Sequence, residues 1–113
     1  MRYKDLIVWK KSMELVDKVY DLSISFPEEE RFVLWSQLAR AAISIPSNIA
    51  EGSGRTTPKE FVRFLSIARG SLYELSTQLE IAERRGYFGL SDDMKSLIDE
   101  VAMMLTKMLN RKV

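Results

Sequence analysis

Phe61, Leu65, Ala68, Leu72, Leu75, Leu79 and Ala82 recur at alternating spacings of four and three residues. That spacing puts all of them on one stripe of an α-helix, whereas a strand would scatter them over both faces. The pattern runs for about three heptads, a length at which chance periodicity is a poor explanation. It predicts a helix over residues 58–85, long enough to cross a small domain. A helix with one apolar stripe must bury it against neighbours, so the fold is built by packing secondary elements face to face. Local signals agree with the periodicity. Thr57 is placed to cap the helix, Pro58 suits its first position, and Glu60 completes a capping box. Arg84 and Arg85 favour the C-terminal end, and Gly86 suits the residue just beyond it.

The rest of the chain carries the same helical period. Over residues 5–24, Leu6, Trp9, Met13, Val16, Tyr20 and Ile24 form one stripe, and Val8, Leu15, Val19 and Leu22 form a second beside it. Together these are wider than the apolar face a surface helix usually buries. Over residues 29–51 the stripe is Trp35, Leu38, Ala42, Ile45 and Ile49. Glu28, Glu29 and Glu30 give that helix an acidic beginning, which suits the positive end of its dipole. Pro46 lies within the stripe, predicting a kinked single helix because the period runs straight through it; the alternative is two helices broken near Ser44 and Ile45. Gly52, Ser53, Gly54, Arg55 and Thr56 read as a loop. Ser91, Asp92 and Asp93 open a last helix reaching about residue 109. Met94, Leu97, Ile98, Val101, Leu105 and Met108 share its apolar face, and Met103 points the opposite way. The expected fold is all-α: an antiparallel up-down-up-down four-helix bundle, one domain over residues 1–113.

Composition narrows the chemistry further. The chain has no Cys and no His. Disulfides, thiol redox chemistry, Cys/His zinc sites and Ser-His or Cys-His nucleophile pairs are therefore excluded. Glu51, Glu60, Glu74, Glu80 and Glu83 supply carboxylates, but no spacing fixes them as a metal or acid–base set. No enzymatic activity, metal or cofactor is expected. No run approaches the roughly 18 apolar residues of a membrane span, and the start lacks a signal-peptide core. The expectation is a cytoplasmic protein without membrane contact. The 17 Lys and Arg against 16 Asp and Glu leave a formal net charge of +1, so any basic patch must be local.

Two sets of residues stand apart from the core stripes. Arg40, Ser44, Asn48 and Glu51 lie on a polar face of the second helix, leading to Gly52. Gly70 and Glu74 lie on a second face of the third helix, with Arg63 and Ile67. A mid-helix glycine costs about 1 kcal/mol against alanine, so Gly70 points to close approach by another backbone or a ligand. Antiparallel pairing through the loop brings Arg40 towards Glu74, and an interaction between them is expected. Val8, Leu15, Val19, Leu22, Ile67 and Gly70 are the candidates for contact between copies, since the apolar surface exceeds what one small bundle hides. Arg55, Lys59 and Arg63 surround the loop and the next helical turn, and Lys10, Lys11 and Lys18 lie on the polar side of the first helix. These six are the candidates for phosphate contact.

Three blocks give the chain a resemblance. They are Asp5-Leu6-Ile7-Val8-Trp9-Lys10-Lys11; Gln37-Leu38-Ala39-Arg40-Ala41-Ala42-Ile43-Ser44-Ile45-Pro46-Ser47-Asn48-Ile49-Ala50-Glu51-Gly52; and Phe64-Leu65-Ser66-Ile67-Ala68-Arg69-Gly70-Ser71-Leu72-Tyr73-Glu74-Leu75. The chain resembles the bacterial four-helix-bundle family named for proteins encoded in intervening sequences of large-subunit ribosomal RNA genes. The likeness covers about residues 3–88 and leaves the last helix to periodicity alone. It implies a ring-shaped homopentamer. It also implies kinship with the accessory proteins of diversity-generating retroelements, basic pentamers that bind nucleic acid and a reverse transcriptase. The near-neutral charge here departs from those basic relatives. The leading expectation is a non-enzymatic ring that binds structured RNA or other nucleic acid through basic surface residues. The alternative is an assembly or scaffold module that docks a protein partner and binds no nucleic acid.

Overall fold

The computed structural model describes residues 2–112. Four long helices carry the fold: α1 (Ile7–Asp21), α2 (Leu34–Ser53), α3 (Pro58–Arg84) and α4 (Asp92–Lys112). Short 3-10 segments at Tyr3–Asp5, Leu22–Ser25 and Glu28–Glu30 precede α1 and connect it to α2. No strand occurs among the described residues. Successive helices run antiparallel, and α4 packs back against α1, so the four close into an up-down-up-down bundle about 43 Å long. No described helix is long and apolar enough to cross a membrane.

The helix boundaries follow local chemistry. Thr57 Oγ1 accepts a hydrogen bond from the Glu60 N–H at 3.2 Å and caps α3. The other half of the expected capping box is replaced: the Glu60 carboxylate pairs with Arg63 at 3.2 Å. Beyond α3, Gly86 has φ of +82°, the left-handed conformation that lets the chain turn off the helix. Ser91 Oγ accepts from the Met94 N–H at 3.1 Å at the start of α4.

Helix α2 begins later than its acidic run suggests. Glu28–Glu30 forms its own 3-10 turn, and the helix starts at Leu34. Glu30 still acts at the helix start, because its Oε1 accepts from the Leu34 N–H at 3.3 Å. The helix then continues unbroken through Pro46 to Ser53, so Gly52 and Ser53 belong to it and not to a loop. Pro46 is buried, and the helical register on either side of it keeps the apolar stripe facing inward.

The core is one continuous apolar cluster contributed by all four helices. Leu38, Ile45 and Ile49 of α2 and Leu65, Leu72, Leu75 and Leu79 of α3 are fully buried, as are Leu15 and Val19 of α1 and Leu105 of α4. Each such side chain contributes about 1.5–3 kcal/mol of transfer free energy. In α1 the two apolar stripes exchange the roles implied by size. Val8, Leu15 and Val19 were expected at a contact between copies, yet they lie in the protomer's own core at 3%, 0% and 0% exposure. Leu22 is half-buried and packs against the same core. The residue that joins this stripe is Ser12, fully buried with its hydroxyl donating to the Trp9 carbonyl at 2.8 Å. The other stripe faces outward in part: Met13, Tyr20 and Ile24 are exposed.

The two ends of the bundle differ. One end gathers the start of α1, the α2–α3 turn and the end of α4. The opposite end gathers the α1–α2 connection and the α3–α4 link. There Phe26 packs against Trp35, Tyr87 and Phe88 at ring-centroid distances of 5.5, 5.6 and 5.5 Å.

Candidate nucleic-acid interface and assembly surface

The α2–α3 turn brings two of the basic candidates onto a single aromatic ring. The guanidiniums of Arg55 and Arg63 lie 4.8 and 4.7 Å from the centroid of Phe64. Each also meets a nearby carboxylate: Arg55, in the turn, with Glu51 near the end of α2 at 3.4 Å, and Arg63 with Glu60 of its own helix at 3.2 Å. Lys59 sits in the first turn of α3, exposed and without an ion pair among the described residues. Three cations are thus grouped around the turn, with two carboxylates among them. Exposed pairs of this kind are worth about 0–1 kcal/mol, so a phosphate can displace them. Phe64 was not singled out from the sequence, because it lies off the 4,3-spaced apolar stripe of the third helix. Its signal is its position directly after Arg63 and opposite the turn that carries Arg55.

Gly52 makes this arrangement possible. A Cβ built on it would lie 2.8 Å from Phe64 Cβ and 3.2 Å from Phe61 Cδ1. The last turn of α2 therefore packs against the first turns of α3 at a distance only glycine permits. Gly70 is the opposite case: a Cβ there meets nothing within 4 Å. The close approach expected at Gly70 is absent from the protomer, and both Gly70 and Ile67 remain exposed.

The polar layer of α2 and α3 is real in its centre and absent at its edge. Ser44 and Ser71 share a hydrogen bond between hydroxyls at 2.8 Å, joining the two helices. Asn48 Nδ2 donates to the Ser44 carbonyl at 2.8 Å and to its hydroxyl at 2.9 Å. Arg40 and Glu74 do not form the expected ion pair. Both are exposed, and water solvates them more cheaply than a bridge would order two long side chains.

The α1 lysines lie in an acidic setting. Lys11 pairs with Glu100 of α4 at 3.4 Å. Lys11 and Lys18 flank a shallow cleft between α1 and α4 together with Glu14, Asp17, Asp21 and Asp93. The surrounding carboxylates oppose a phosphate there. Lys10 is exposed and forms no ion pair among the described residues. Among the described residues no group of three or more His, Cys, Asp or Glu is disposed to hold a metal ion.

Helical geometry, the Gly52 contact and the Arg40–Gly52 and Phe64–Leu75 blocks now stand together on α2 and α3. The family model for 23S rRNA-intervening sequence proteins matches residues 4–109. The chain belongs to that family. Among solved structures, the fold is similar to a crystal structure, at 1.70 Å resolution, of a Bacteroides thetaiotaomicron protein of unknown function from the S23 ribosomal protein family. The TM-score is 0.80 at 24% sequence identity, covering 97% of this chain and 99% of that one. Among curated proteins none is similar enough to count as a relative. The family match extends into α4 as far as residue 109 and so takes in most of the helix that the motif blocks left out.

Proposed function

We propose that this intervening-sequence family protein is a non-enzymatic helical module that assembles with further copies of itself and presents the α2–α3 turn to nucleic acid. The observation that carries the assembly is the apolar surface the bundle leaves in water: Ile24 is 90% exposed, Phe32 83%, Ile7 63% and Val33 56%. Side chains of that size and exposure, clustered at the bundle ends, favour burial against another surface. The nucleic-acid contact is supported by Arg55, Lys59 and Arg63 around the Phe64 ring. One protomer offers few phosphate contacts, and repetition around an oligomer multiplies them and steepens their salt dependence. The resemblance to ring-forming relatives suggests a pentamer.

The second reading is an assembly module with no nucleic-acid partner. It is favoured by the carboxylates that already engage Arg55, Arg63 and Lys11. Sedimentation velocity across a micromolar concentration series tests assembly. A titration against structured RNA, single-stranded RNA and duplex DNA over a salt series tests the partner. Binding that weakens steeply with salt, and that loses slope when Arg55, Lys59 and Arg63 are all replaced by Ala, supports the first reading. Assembly without binding at low salt leaves the second.

A further inference from the structure

Each guanidinium at the α2–α3 turn is engaged on one edge and on one face. At the edge, Arg55 Nη2 donates to Glu51 Oε1 at 3.4 Å, and Arg63 Nε donates to Glu60 Oε2 at 3.2 Å. At the face, both groups lie over the Phe64 ring, 4.8 and 4.7 Å from its centroid. Guanidinium N–H groups lie in the plane of the group, so an edge contact and a face contact do not compete. What remains of each group is its second face. The Arg55 and Arg63 side chains are 44% and 59% exposed, whereas Phe64 is 6% exposed. Phe64 is therefore a buried support beneath two planar cations, and the surface a ligand meets is the guanidiniums.

The support is fixed from both helices. Phe64 is part of α3, and its Cβ packs where Gly52 of α2 leaves room. The Arg55 N–H donates to the Gly52 carbonyl at 3.1 Å, which sets the backbone that carries its side chain. Arg63 is held in the same helical turn as Phe64. Planes held in advance lose little freedom on contact. A phosphate oxygen needs the N–H edges, which Glu51 and Glu60 already occupy in part. An unpaired base needs only a flat face. Bases stack on guanidinium planes as they do on aromatic rings, and every base has such a face to offer. Lys59, exposed in the same turn of α3, has no ion pair among the described residues and is left for the phosphate beside the stacked base.

We propose that the outer faces of Arg55 and Arg63 form a stacking platform for unpaired bases, so that the α2–α3 turn recognises single-stranded nucleic acid by its bases as well as by its phosphates. This deepens the nucleic-acid reading above and rests on it. Because both planes share one ring, each copy offers two stacking positions to one short stretch of strand. Stacking of this kind is tolerant of sequence, so the platform selects unpaired bases and no particular base.

Two probes with the same phosphates separate stacking from charge. One is a fluorescein-labelled oligothymidylate of about twelve nucleotides, a length within the span of known single-strand sites. The other is the same strand with abasic spacers in place of every base. In fluorescence anisotropy at fixed salt, the unmodified protein is expected to bind the thymine strand about tenfold more tightly than the abasic one. The double variant Arg55→Lys, Arg63→Lys keeps both charges and removes both planes. In it the advantage of the thymine strand is expected to fall below about twofold, with circular dichroism checking that the helices are intact. Equal binding of the two strands by the unmodified protein overturns the platform and leaves phosphate contact standing. A lysine variant that keeps the full advantage also overturns it, because the bases then stack elsewhere. Absence of binding to either strand and to duplex DNA at low salt overturns the nucleic-acid reading, and the platform with it.

Discussion

The Tyr87 hydroxyl donates a hydrogen bond to Glu30 Oε2 at 2.8 Å, across 57 residues of sequence. The bond ties the α3–α4 link to the α1–α2 connection, while the other oxygen of Glu30 caps α2. The hydrogen bond to Glu30 raises the Tyr87 pKa above 10.0, because the neutral phenol is the form that donates and a phenolate would face a carboxylate. A raised pKa in the folded state favours the protonated form there. Its contribution is fully present below the unfolded value near 10 and is lost as pH rises through the higher folded value. Tyr87→Phe should therefore lower stability at neutral pH and lose less than the unmodified protein between neutral pH and strongly alkaline pH. Urea denaturation at a series of pH values reads the difference. Parallel curves for the two proteins above pH 10 would remove the bond from the account.

Gly52 and Gly70 are both helical, and replacement by alanine should move stability in opposite directions. An alanine in an exposed helix interior gains about 0.5–1 kcal/mol over glycine. Gly70 has open space around its Cβ position, so Gly70→Ala should show that gain. At Gly52 the added Cβ meets Phe64 Cβ at 2.8 Å, an atom fixed to the α3 backbone. The helices must separate, and Gly52→Ala should cost about 1–3 kcal/mol. It should also disturb the ring on which Arg55 and Arg63 rest. Thermal denaturation of the two single variants checks both signs.

These contrasts show what the sequence reveals and what it hides. The α3 period survives intact because every core position there except Gln78 is apolar, and its start and stop signals at Thr57 and Gly86 are local chemistry. The α1 stripes are harder. Ser12 interrupts the buried series of Val8, Leu15 and Val19, while Trp9 and Tyr20 lend weight to the outer stripe. Which stripe is the core depends on a serine satisfied by its own helix, through the Trp9 carbonyl. Hydrophobicity alone does not encode that bond. The Gly70 reading fails for a related reason: a glycine's purpose lies in its neighbours, and helical spacing does not supply them. Similarly, Arg55 and Arg63 are legible as charges, but their common contact with Phe64 exists only once the turn closes. Ile24 is a further case: it continues an apolar stripe of the first helix in the sequence, but the chain leaves that helix before it, and it is 90% exposed.

Thr57 is exposed, and its hydroxyl does one job, accepting the Glu60 N–H. Loss of such a cap costs about 1 kcal/mol. Thr57→Ala should have that cost, and Thr57→Ser should be close to neutral because serine caps equally well. Hydrogen exchange at the first turn of α3 should rise in the alanine variant and stay low deeper in the helix. Uniform loss of protection along α3 would show that the cap holds more than the first turn.

Gln78 is the polar exception in the α3 stripe. It is 7% exposed, and its Oε1 is buried without a hydrogen-bond partner among the described residues. A buried acceptor without a donor costs about 1–3 kcal/mol. Methionine has a similar length and no amide to desolvate, so Gln78→Met should raise stability by about 1 kcal/mol. Gln78→Ala separates the two contributions: it removes the unsatisfied carbonyl but leaves a gap, so it should fall below Gln78→Met. Urea denaturation of the three proteins under conditions that keep them as single chains gives the order. A Gln78→Met variant less stable than the unmodified protein would mean that the carbonyl has found a donor in solution.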